Sequence, residues 1–78
     1  MNKDNFKKEL GALCRSCRER LGYTQYEMGR RVDMSCANIS KFENGERDSL
    51  IMFSVYGLMF DGEDWRKLNG IYNRYFKE

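Results

Sequence analysis

The sequence predicts an all-α fold of five helices. Two observations carry this. Apolar residues recur at helical spacing in short runs, and each run is bounded by Thr, Ser, Asp, Asn or Gly at a position suited to starting or stopping a helix. The chain also has no proline, no low-complexity tract and no internal repeat in its 78 residues, so neither a linker nor a second domain is expected. A chain of this length buries roughly 60 % of its unfolded surface, enough for one modest core.

The first helix is expected from about Asp4 to Leu21, where Phe6, Leu10, Leu13, Cys17 and Leu21 share one face. Arg18 falls at the edge of that stripe.

The run from Thr24 to Gly45 reads as two short helices joined by a tight turn. Thr24 and Glu27 have the spacing of a capping box, with Tyr23 and Met28 at the hydrophobic staple positions, so a helix starts at Gln25. Ser35 caps the next helix, stapled by Met34 and Ile39, and Asn44 with Gly45 forms a left-handed stop. Each helix has only about two turns, too few to persist alone in water, so packing must hold them. Met28, Val32, Met34, Ile39 and Phe42 provide the shared seam. Gly29 sits inside the first of these helices at a cost of roughly 1 kcal/mol relative to Ala, and close approach of the second helix is the expected compensation.

Asp48 is placed to cap a fourth helix carrying Leu50, Phe53, Val55, Leu58 and Met59. Asp61 caps a fifth, with Phe60 and Trp65 as its staple and a stripe of Trp65, Leu68, Ile71, Tyr72 and Tyr75. These two helices offer more apolar side chains than one short bundle needs. A twofold dimer contact through Met52, Met59, Ile71, Tyr72 or Phe76 is the expected use of the surplus.

The net charge of +2 says little about partners, but its distribution is uneven. Residues 1 to 31 hold eight basic and four acidic side chains, residues 32 to 64 two and seven, and residues 65 to 78 four and one. Lys7, Lys8, Arg30 and Arg31 flank the two short helices and are placed to reach phosphates, although ordinary solvated helix surface has the same composition. No run approaches the roughly 20 apolar residues of a membrane span, and the N-terminal segment lacks a signal-peptide core, so a cytoplasmic location is expected. Cys14 and Cys17 form a C-x-x-C inside a helical pattern rather than at a strand-to-helix junction. With no histidine in the chain, a four-ligand zinc site would need Cys36 and a carboxylate as well, so neither a metal nor a dithiol centre is expected. Enzymatic activity is not expected either: no nucleophile has an evident base, and no glycine-rich phosphate loop is present. No cofactor is implied.

The residues from Leu13 to about Leu58 resemble the helix-turn-helix domains of phage repressor and Cro type, the lambda-repressor-like or XRE family. The likeness rests on Thr24-Gln25-x-Glu27, the small Gly29 after Met28, and Ile39-Ser40-x-x-Glu43-Asn44-Gly45. Three positions depart from the family pattern. Asp33 stands where the turn usually has Gly, the loop after Gly45 reads Glu46-Arg47-Asp48 where Lys and Pro are common, and the second motif helix begins with the short Cys36-Ala37-Asn38.

The resemblance implies a transcriptional regulator that binds double-stranded DNA at a pseudo-palindromic operator as a homodimer. The small single-domain members are repressors of phage or mobile elements, or controllers of restriction systems. It assigns base contacts in the major groove to Cys36, Ala37, Asn38 and Lys41, with Asn suited to adenine and Lys to guanine. Phosphate contacts fall to Gln25 and Asn44, with Ser40, Arg30, Arg31 and Arg47 on the adjacent backbone. Cys36 would face the groove, where a small unreactive contact residue is expected rather than a thiol whose oxidation blocks binding. The resemblance also implies a partly buried bridge between Arg18 and Glu43. The competing class is a protein-interaction module docking RNA polymerase, another repressor or a nuclease, favoured by Glu46, Asp48 and the short Cys36 and Ala37.

Overall fold

The computed structural model describes residues 3–76. Five helices follow one another: α1 at Lys3–Arg20, α2 at Gln25–Val32, α3 at Cys36–Glu43, α4 at Leu50–Met59 and α5 at Gly62–Phe76. The described residues contain no strand. α1 is the central element, packing against α3, α4 and α5, while α2 lies against α3 and α4.

The short helices form because their ends are satisfied. At α2 the Thr24 hydroxyl accepts from the Glu27 N–H at 3.1 Å and the Glu27 carboxylate accepts from the Thr24 N–H at 2.9 Å, the reciprocal capping box. Ser35 caps α3 by accepting from the Asn38 N–H at 3.2 Å. At its other end Gly45 takes φ +77°, and the Gly45 and Glu46 N–H groups donate to the Phe42 and Lys41 carbonyls at 3.1 and 2.8 Å. This is a Schellman stop. α1 ends the same way at Gly22, one residue sooner than the apolar stripe suggests, so Leu21 lies outside the helix and is 47 % exposed.

Ser49, not Asp48, caps α4, with its hydroxyl accepting from the Met52 N–H at 3.2 Å. Of the apolar residues expected on this helix, Phe53, Val55 and Met59 pack partly buried against the core. Met52, Tyr56 and Phe60, four residues apart, are buried, whereas Leu50 and Leu58 are among its most exposed side chains. Asp61 does begin α5: its carboxylate accepts from the Asp64 N–H at 2.9 Å and Asp64 accepts from the Asp61 N–H at 3.0 Å. The Phe60 and Trp65 rings meet edge to face 5.1 Å apart, as the staple predicts.

The core joins Leu13, Cys14 and Cys17 of α1 to Met28, Val32, Ile39, Phe42, Met52, Tyr56, Phe60 and Ile71. Met52 and Ile71 thus belong to the interior of the protomer, at 0 % and 7 % exposed, and offer almost no surface to a second copy. This corrects their expected place in a dimer contact. Met59 is half-buried, while Tyr72 and Phe76 remain exposed. Cys14 and Cys17 are fully buried, and burial pushes both thiols up, so they pack as small neutral groups. Among the described residues, no helix is long and apolar enough to cross a membrane.

Two attachments fix α5. Arg20 grips the Asp64 carboxylate through two nitrogens at 2.9 and 2.6 Å. Near the other end, Arg74 and the Tyr75 hydroxyl both donate to Glu9 of α1.

Candidate nucleic-acid interface

The candidate interface is the outer side of α2 and α3. Glu43 sets it in place. The residue is 3 % exposed, and its carboxylate receives Arg18 Nε at 2.7 Å and Arg18 Nη2 at 3.0 Å, a bidentate pair from α1. Gln25 Nε2 of α2 donates to Oε1 at 3.2 Å, and the Tyr56 hydroxyl of α4 donates to Oε2. Arg18 also donates through Nη1 to the Tyr23 carbonyl at 2.7 Å, holding the residue just before the α2 cap.

Burial alone would raise the Glu43 carboxyl, but the hydrogen bonds from Arg18, Tyr56 and Gln25 outweigh it and hold the group below the usual carboxylate range. The same contacts push Arg18 up, first through its hydrogen bonds to Glu43. Tyr56 is pushed up by burial and then by Glu43. One carboxylate therefore ties the C-terminal end of α3 to the other three helices around it. The bridge expected between Arg18 and Glu43 is present, and Tyr56 joins it. Tyr56 left a signal in the sequence, the four-residue spacing Met52, Tyr56, Phe60.

The backbone of the motif closes tightly. Asp33 adopts φ 55° and ψ 49°, the left-handed region the turn requires, and the Met34 N–H donates to the Gly29 carbonyl at 2.8 Å. A Cβ on Gly29 would lie 2.4 Å from the Met34 carbonyl oxygen. The close approach at Gly29 is thus made by the turn itself rather than by α3. A second close approach was not foreseen: a Cβ on Gly11 of α1 would lie 2.5 Å from the Glu43 carbonyl oxygen, so the end of α3 rests directly on the α1 backbone. A glycine in a helix interior, costly by itself, was the available signal.

The expected contact residues distribute as follows. Cys36, Ala37 and Lys41 are exposed on α3, and Asn38 and Ser40 are half-buried. Arg30 lines a hollow with Cys36, Ser35 and Tyr26, beside the start of α3. Lys8 packs its backbone and stem against Gly45 at the far end, and Lys7 and Arg47 line one hollow with Asp48 and Ser49. The exposed basic residues thus stand at both ends of α3. Arg31 packs on Tyr23, its guanidinium 4.5 Å over the ring with Nη2 donating to the Tyr23 hydroxyl at 2.7 Å. Asn44 donates to the Ser40 hydroxyl at 3.4 Å. Arg47 Nη1 donates to Asn38 Oδ1 at 2.9 Å, a link the sequence did not suggest.

A short capped helix presented outward after a tight left-handed turn is the arrangement that docks in a DNA major groove. The family model described as helix-turn-helix domain matches residues 9–51, more than half of the chain, and the chain belongs to that family. No curated protein and no solved structure matches it.

Proposed function

We propose that the protein is a sequence-specific transcriptional regulator of phage repressor or Cro type, with α3 as its reading helix. The observation that carries this reading is the anchoring of α3: Glu43 fixes its inner face to α1, α2 and α4, and Cys36, Ala37 and Lys41 stand exposed with Asn38 half-buried beside them. Side chains that read base edges need such a rigid support, because discrimination of about 1–3 kcal/mol per contact is lost if the helix shifts. Gln25, at the first turn of α2, places a backbone N–H and a polar side chain where a phosphate is favoured. Lys8 and Arg30, at opposite ends of α3, supply further charges that attract the DNA backbone.

Two copies related by a twofold axis would hold their α3 helices about 34 Å apart, so the operator is an inverted repeat with half-sites roughly 10 base pairs apart. Exposed Leu58, Trp65 and Tyr72 on α4 and α5 support a contact between copies through these helices. A protein-docking role, including a contact with RNA polymerase, is favoured instead by exposed Glu46 and Asp48 beside the reading helix.

Selecting bound sequences from a random duplex pool at about 50 mM salt, followed by titration at rising salt, tests the reading. An inverted repeat whose affinity falls steeply with salt is the expected result. Absence of any DNA association at that salt would overturn it in favour of a protein partner.

A further inference from the structure

We propose that Arg47 is a specificity-determining residue: by engaging the Asn38 carbonyl oxygen it turns Asn38 into a donor and directs the pair to guanine. The proposal rests on the DNA-reading role of α3 given above.

The geometry begins at the helix stop. The Schellman turn at Gly45 sends the chain back along α3, with the Glu46 N–H on the Lys41 carbonyl, and this brings Arg47 within side-chain reach of the first turn of α3. Arg47 Nη1 then donates to Asn38 Oδ1 at 2.9 Å. Among the described residues, the ion pairs leave Arg47 out, so its neighbours Glu46 and Asp48 do not draw it away.

An asparagine amide left to itself turns either end outward, since its oxygen and nitrogen are nearly isosteric. Guanidinium has donors and no acceptor, so only the oxygen can face Arg47. The Asn38 nitrogen, with two N–H groups, is thereby aimed away from Arg47.

Adenine in the major groove presents N7 as an acceptor and N6 as a donor, and an asparagine reads it with oxygen and nitrogen together. Oδ1 keeps a second lone pair, but an adenine N6–H group that reached it would come up beside the Arg47 guanidinium, donor against donor, with N7 the only acceptor on that edge. Guanine presents O6 and N7, both acceptors, which match the Asn38 N–H groups and the remaining Arg47 donors. The pair therefore reads guanine, although Asn38 alone has the chemistry for adenine.

Wild type, Arg47→Ala and Asn38→Ala should each be taken through selection from a random duplex pool. Each is then titrated on duplexes that differ by guanine or adenine at the one base pair whose preference Asn38→Ala abolishes. Wild type should favour guanine there by about tenfold. Arg47→Ala should bring the ratio to unity or reverse it toward adenine, besides weakening all duplexes through the lost charge. Circular dichroism confirms that the helices remain.

A guanine preference retained in Arg47→Ala would overturn the proposal and leave Arg47 a phosphate contact. So would a wild-type preference for adenine at that pair, or selection in which Asn38→Ala changes no base preference. Wild type that binds no duplex at about 50 mM salt would overturn the DNA-reading role itself, and this assignment with it.

Discussion

Gln25 and Glu43 are joined by a 3.2 Å hydrogen bond, so the helix assigned to the DNA backbone and the helix assigned to the bases share one carboxylate. Gln25 Nε2 retains a second N–H, and its backbone N–H opens α2. Gln25→Ala should therefore lower affinity for every duplex to a similar degree, because a phosphate contact positions the protein without reading sequence. The lost bond to Glu43 should cost about 0.5–1.5 kcal/mol of stability as well. Loss of preference at a single base position, measured by competition titration, would move Gln25 into the reading set.

Arg18 and Glu43 are 7 % and 3 % exposed, and neither could remain charged in the interior without the other. Arg18→Met should destabilise the fold by roughly 3–5 kcal/mol in urea denaturation, by leaving the carboxylate unpaired. Adding Glu43→Leu should recover part of that loss. A double variant no better than Arg18→Met would show that the cost lies in packing rather than in the stranded charge.

The parts of this architecture that were legible in the sequence are those written in local chemistry. Caps at Thr24, Ser35 and Asp61, the left-handed turn at Asp33 and the stop at Gly45 each depend on residues a few positions apart. The face of α4 was not legible, because its ten residues are apolar nearly all round and periodicity cannot choose between Leu50 with Leu58 and Met52 with Tyr56. The same ambiguity leaves the sequence unable to tell a buried Met52 from a surface one. At the candidate interface, Cys36, Ala37 and Lys41 are exposed where motif position puts them on α3, while Asn38 is half-buried. The hydrogen bond from Arg47 to Asn38 did not follow from motif position, since it depends on how a loop folds back over a helix.

Asp33 holds a backbone conformation that glycine adopts without strain. Asp33→Gly should raise stability by about 0.5–1 kcal/mol, the relief of a side chain at positive φ outweighing the greater freedom of the unfolded chain. A lowered midpoint in the same urea titration would mean that the Asp33 side chain supports the turn by more than its conformation suggests.

Asp64 is 1 % exposed, and the hydrogen bonds from Arg20 hold its carboxyl down at about 2. A depressed folded-state value means that the ionised form stabilises the native state. That stabilisation is complete above the ordinary Asp range near ~4 and disappears as pH falls toward about 2. Its size should be no more than about 2 kcal/mol, because the Arg20 side chain is 42 % exposed and open to screening. Glu43, also held low, adds acid sensitivity of the same sign. In thermal melts between pH 6 and pH 2, Asp64→Asn should be less stable at pH 6 and lose less on acidification than wild type. Parallel curves for the two proteins would remove Asp64 from the acid response.

The last prediction concerns assembly. Tyr72 is 53 % exposed and stacks on Phe76 with ring centroids 5.2 Å apart, whereas Phe76 also packs against Phe6 at 4.9 Å. A charge at Phe76 therefore strikes the packing of α5 on α1, but a charge at Tyr72 meets mainly solvent in the protomer. Tyr72→Glu should remain folded by circular dichroism, sediment as a monomer where wild type is a dimer, and bind an inverted repeat more weakly than wild type. On a duplex with one half-site the two proteins should differ little, because each α3 still reads its own bases. Leu58→Glu, on the exposed face of α4, provides a second probe that leaves the aromatic cluster intact. If both variants dimerise as wild type does, the contact between copies lies elsewhere on the surface. A wild type that stays monomeric at high micromolar concentration and occupies half-sites independently would sink the dimer itself.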